Sequence, residues 1–257
     1  MSTSELPPAK GLTHDVVDRM APELVNEVRA LCGAELFGML LYGSAVGGGF
    51  KGERSNVNVL VVLKSLDVKL LQKLAPIVAR WDRDLFIVHV TTLANVRASA
   101  DVLPGHLLEL RDHHRVLFGN DPTEGVEVSK AALLWASERD LHEIIRHLTR
   151  AVLLHGDSRQ GLGGAVRRHF RTFLYTLRTM LRYEDRLPRT TDKHPTISAA
   201  AELFDLDEAV LLDLLDFRRR MKVVTPTRVS ELADALLEQA TKAAAKVRDL
   251  ALAARTS

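Results

Sequence analysis

Residues Leu40 to Leu63 read LLYGSAVGGGFKGERSNVNVLVVL, and no other stretch restricts the fold of this chain so strongly. A short apolar run ends at Gly43, a glycine-rich loop follows, and then comes VNVLVVL, dominated by valine. β-Branched side chains suit a pleated, half-buried surface, so the stretch predicts a strand, a loop and a second strand. Glycines in such a loop let backbone N–H groups come close to a phosphate. GGGFKG formally matches the dinucleotide pattern at Gly47, Gly49 and Gly52. That pattern needs a helix directly after it, whose N-terminus faces the pyrophosphate, and here a strand follows. A Walker A loop is excluded too, because no Gly-Lys-Ser/Thr follows the glycines.

The hydrophobic period changes halfway along the chain. Before about residue 124 it alternates between helix and strand. A helix is expected from Thr13, as N-cap, to Leu31, with apolar residues at Val16, Val17, Met20, Leu24, Val25 and Val28. LFGMLLYG and VNVLVVL give two strands, and Asp67 to Trp81 returns to helical spacing. DLFIVHV gives a third strand. Leu93–Ala100 and Gly105–His114 give short helices interrupted at Pro104, and VLFG a last strand before the turn cluster GNDP. Beyond it, helical stretches run near 129–155, 161–184, 195–204, 207–222 and 227–253. The expected fold class is α+β: a small mixed sheet with flanking helices over residues 1–124, followed by an all-α helical bundle over 125–257.

Composition excludes several classes. The 257 residues contain one cysteine, Cys32, so neither an internal disulfide nor a cysteine-based metal site is available. No apolar run approaches the roughly 20 residues of a membrane helix. MSTSELPPAKGLTHD lacks the apolar core of a signal peptide, so a cytoplasmic location is expected. A net charge of +2 argues against an electrostatic nucleic-acid binder. The charge is uneven, however: residues 146–189 hold 10 Arg against 3 acids, whereas 202–216 hold six acids and no base.

LLYGSAVGGGFKGERSNVNVLVVL resembles the signature of the nucleotidyltransferase superfamily: an apolar strand ending in Gly-Ser, a glycine-rich spacer, then Ser-Asp-x-Asp opening a second apolar strand. Gly43-Ser44 match the Gly-Ser pair, Ser55 the serine before the first acid, and Val59–Leu63 the apolar tail. DVLPGHLLELRDHHRVLFGND is also similar to bacterial proteins that join such a domain to a helical one, with the substrate in the cleft between them. The resemblance implies that the glycine and serine bind a nucleoside triphosphate and that the Asp-x-Asp acids hold two magnesium ions. Two carboxylates spaced by one residue on a strand point the same way and can grip hard cations, which demand charged oxygen ligands.

Here Asn56 and Asn58 occupy both acid positions. An amide keeps size and hydrogen-bonding capacity but has no negative charge to offset the metal ions. Losing several kcal/mol of transition-state stabilisation slows a reaction thousands-fold. The expectation is therefore a catalytically degenerate domain with a regulatory role, with no catalytic residues and no metal ligands. Gly43, Ser44, Ser55, Asn56 and Asn58 are its nucleotide-binding candidates, and binding needs no metal. Two alternatives stay open. One is an active transferase acting on a small molecule or protein, with magnesium held by Asp84 or Glu53. The other is an interaction module with a protein partner, resembling the antitoxin of a toxin–antitoxin pair. The plainest reading of Gly43-Ser44 is a turn and nothing more.

In the helical half, Arg167, Arg171, Arg178, Arg182 and Arg186 step by three, four or seven and share a helix face. Such a stripe can meet phosphate. The favoured reading is a solvated face partly neutralised by the acids of 202–216. Arg150 and His155 match the R-x4-H spacing of a helical ribonuclease family, a match expected once by chance among 25 Arg and 10 His. His113 and His114 are expected on one helix, facing different ways. His142 and His147 are too poorly spaced to hold zinc together. The apolar faces of the helices near 207–253 can close a homodimer as easily as a bundle.

Overall fold

The computed structural model describes residues 13–46, 56–83, 86–156, 158–190, 192–219 and 224–256. The chain divides into two compact units, Met1–Glu127 and Val128–Ser257.

In the first unit, helix α1 (His14–Cys32) starts where Thr13 takes an extended conformation and its Oγ1 accepts from the Val16 N–H. Its buried residues Val17, Leu24 and Val28 fall on one stripe, as helical periodicity requires. Among the described residues, strands β1 (Leu36–Tyr42), β2 (Val57–Leu63), β3 (Phe86–Thr92) and β4 (His114–Gly119) form one sheet, in the order β3-β2-β1-β4. β1 is antiparallel to both β2 and β4, whereas β2 and β3 are parallel and joined through helix α2 (Val68–Arg83). A parallel pair requires such a crossover. Helices α3 (Leu93–Val102) and α4 (Pro104–Asp112) lead from β3 to β4.

Alternation along the strands divides the sheet into two faces. Val57, Val59, Val61 and Leu63 of β2 join Met39, Leu41 and Phe86 in a core with the α1 stripe and with Leu74 and Trp81 of α2. Trp81, 1% exposed, donates its indole N–H to Glu27 Oε2 at 3.0 Å and meets Phe86 edge-on, 5.2 Å between centroids. Register places Gly38, Leu40, Tyr42, Asn58, Leu60, Ile87 and His89 on the opposite face.

The second unit contains five helices among its described residues: α5 (Lys130–His155), α6 (Arg159–Tyr183), α7 (Lys193–Phe204), α8 (Glu208–Arg219) and α9 (Pro226–Thr256). Side-chain caps set three of the starts: Ser129 accepts from Ala132 N, Ser158 from Gly161 N and Asp192 from His194 N. α6 and α7 thereby begin two residues before the sequence expectation. The core is a single cluster that includes Leu148, Val166, Phe170, Phe173, Leu236 and Val247.

Two local expectations are corrected. α4 stops at Asp112, with His113 as its C-cap, and His114 opens β4, so the two histidines do not share a helix. His114 can leave the helix because the sheet edge of β1 offers it a partner, Tyr42. β4 consequently begins two residues earlier than VLFG predicts.

Candidate functional site

β1 leaves the sheet at Tyr42 and enters a 3-10 turn, Gly43–Ala45. Gly43 has φ +79°, a conformation that side chains disfavour. Its N–H donates to the His113 carbonyl at 3.1 Å, and its carbonyl accepts from Val46 N–H at 3.0 Å. A Cβ at this position would lie 3.0 Å from Asn58 Nδ2. Glycine is therefore required twice over, by backbone conformation and by the amide packed against it.

The structure thus brings Gly43 and Asn58 together, with half-buried Ser44 next in the turn. Asn58 is half-buried within the ladder, opposite Tyr42 on one side and Ile87 on the other. Asn56 is exposed and precedes the first ladder residue, Val57. Ser55, Glu53 and Asp84 lie outside the described residues, as do Gly47, Gly49 and Gly52.

A metal-dependent transferase needs carboxylates on this face. Around Asn58 the paired positions are a tyrosine and an isoleucine, and the next in-phase residue of β3 is His89. Among the described residues, no three His, Cys, Asp or Glu side chains are gathered so as to hold a metal ion. Two amides and an isoleucine do not fit a pair of magnesium ions, because neutral oxygens cannot offset the charge.

What this face does carry is a set of rings. The Tyr42 ring lies 6.3 Å from that of His89 and 6.4 Å from that of His106 on α4, the second contact edge-on. His89 and His106 are both solvent-exposed. Burial raises the Tyr42 hydroxyl above its ordinary pKa and keeps it a neutral donor. His106 is held below the usual imidazole range, first by the protein crowding it and then by His89, against the opposing pull of Glu109. Sequence reasoning missed all three rings. The in-phase position of His89 on β3 was readable, but its meeting with Tyr42 depends on cross-strand register, and His106 arrives from α4.

Beside them, His114 Nδ1 lies 3.0 Å from the carbonyls of Leu110 and Arg111, and Nε2 lies 3.1 Å from Asp121 Oδ2. All three partners carry acceptor oxygens. Burial pushes Asp121 up, but the Thr123 N–H and hydroxyl, with His114, outweigh it and hold the carboxyl below its ordinary range. The His114 ring thereby ties the start of β4 to the end of α4 and to Asp121.

In the second unit the arginine stripe is engaged in part. Arg167 stacks over the Phe217 ring at 4.4 Å, and Arg186 pairs with Glu202 at 2.8 Å. Elsewhere in the acidic stretch, Asp213 pairs with Arg228 and Glu208 accepts from Ser198. His147 stacks on His169, 5.7 Å between centroids, and faces the donor Arg146 Nη2 at 3.0 Å.

A mixed four-stranded sheet with flanking helices, followed by a helical unit, is a nucleotidyltransferase-like fold. Among solved structures, the chain is similar to the spectinomycin adenyltransferase AAD(9) of Enterococcus faecialis, determined with ATP and spectinomycin. The TM-score is 0.53 over 87% of this chain and 99% of that one, at 13% sequence identity, so the likeness is one of fold. No family model and no curated protein matches the chain. No helix among the described residues is long and apolar enough to cross a membrane.

Proposed function

We propose that this chain is a nucleotidyltransferase-like protein that has lost metal-dependent transfer and retains recognition of a nucleoside triphosphate, acting by binding in the cytoplasm. The observation that carries the reading is Asn58. It stands in the ladder against Gly43, opposite Tyr42 and Ile87, where magnesium chemistry asks for carboxylates. Gly43 and Ser44 supply a turn whose backbone can approach phosphate, and Ser55, Asn56 and Asn58 add polar groups that need no metal. Protein partners would then read the bound state.

Calorimetry with ATP, GTP, CTP and UTP, each with and without magnesium, tests this. Binding that does not depend on magnesium is the expected result. The structural neighbour, an adenyltransferase seen with ATP and spectinomycin, supports one competing reading: active transfer to a small molecule, using Asp84 or Glu53. Labelled nucleotide incubated with magnesium and candidate acceptors separates the two. Transfer that disappears in Asn58→Ala would overturn the degenerate reading.

A further inference from the structure

We propose that His89 and His106, gathered around Tyr42, bind the phosphate chain of the nucleotide and take up a proton as they do so. The inference rests on the nucleotide-binding reading and specifies where the charge to hold the anion comes from. A triphosphate bound without metal needs positive charge, because two amides and a glycine turn carry none. The face on which Asn58 stands offers two imidazoles that solvent can reach, and both approach the ring of Tyr42, the residue paired with Asn58.

The electrostatics fit an anion. Crowding by the protein, and then the neighbouring His89, disfavour charge on His106, which with no ligand is held below the usual imidazole range. A phosphate chain placed between them reverses that balance: each imidazolium then faces negative charge, and the Tyr42 hydroxyl adds a neutral donor. Histidine is the side chain whose charge is set by such a shift near neutral pH. Among the described residues the surrounding charged groups are these. Glu109 on α4 faces His106, and His113 at the helix end lies 3.8 Å from Glu109. His114 on β4 is committed to Asp121. α3, packed beside β3, adds one exposed charge of each sign, Arg97 and Asp101. β2 contributes the uncharged Asn58, Leu60 and Val62 to this face. Among the described residues, the carboxylate of Glu109, which acts on His106, opposes the anion.

The test is calorimetry of the full chain with ATP, and separately with inorganic tripolyphosphate, both without magnesium. Titrations at pH 7.5 in buffers of different ionisation enthalpy report the protons exchanged. The expected result is uptake of on the order of one proton per ATP, and a Kd that rises about ten-fold for each pH unit above neutrality. His89→Gln combined with His106→Gln should abolish the uptake and weaken ATP roughly ten- to hundred-fold. Both sites are exposed, and equal melting temperatures of variant and parent will show that the fold is kept. Should the double variant unfold, His89→Gln alone and the parent's pH slope still decide. ATP binding without proton uptake, or unchanged in the variants, overturns the proposal and leaves the nucleotide reading standing. Tripolyphosphate bound with proton uptake, while ATP is not bound, supports the histidine cluster and sinks the nucleotide reading. If neither ligand binds, both fall.

Discussion

Replacing Gly43 by alanine probes the junction on which the site depends. Two costs arise at once. Holding a non-glycine residue at φ +79° costs about 1–2 kcal/mol. The new Cβ also meets Asn58 Nδ2 at 3.0 Å, so the amide must retreat by a few tenths of an ångström. Against these, the less flexible unfolded chain of an alanine variant returns about 0.4–1 kcal/mol. The net expectation for Gly43→Ala is a loss of about 1 kcal/mol, or about 3–5 °C in melting temperature for a unit of this size. Urea unfolding followed by tryptophan fluorescence suits the measurement. Trp81 is buried in the first unit, whereas Trp135 in the second is already 59% exposed. Adding Asn58→Ala should return about 0.5 kcal/mol, the part due to the contact, and leave the backbone strain. A Gly43→Ala variant as stable as the parent, or strict additivity with Asn58→Ala, would refute the geometry described for this turn.

Three further outcomes are expected. Asn56→Asp with Asn58→Asp should create a site for manganese or magnesium, seen by calorimetry as binding that the parent lacks; no gain would argue against the ancestry inferred from the motif. Trp81→Ala should cost about 3–5 kcal/mol, because a fully buried ring that packs on Phe86 and reaches Glu27 is removed; denaturant midpoints will show it. Asp121 has a lowered folded pKa, so the stability it contributes is complete above the ordinary carboxylate range and is lost as pH falls through its folded value. Asp121→Asn should therefore lower stability at pH 7 by about 1–3 kcal/mol and flatten the acid limb below about pH 4, read from urea midpoints across pH.

Much of the architecture was legible because local rules agreed with the final packing. Val57–Leu63 has the β-branched density of a strand and became one, and Thr13 caps the helix it precedes. Errors cluster where tertiary pairing outweighs local preference. His114 reads as helical from its neighbours, yet its backbone pairs with Tyr42 and its ring with Asp121. Gly43 and Asn58, both singled out by the motif, lie side by side because a strand–loop–strand brings its two ends together. The rings around Tyr42 escaped because nothing along the chain announces that positions 42, 89 and 106 meet. That information lies in the register of three strands and in the place where α4 returns.

The central position of β1 has a consequence for the nascent chain. Its partner β2 is synthesised soon after it, but β4, which covers its other side, appears only after α2, β3, α3 and α4 have been made. Until then the apolar strand Leu36–Tyr42 presents a bare row of N–H and C=O groups, a template for pairing with a neighbouring chain. On the ribosome, the interval before β4 emerges is when this protein is most exposed to aggregation.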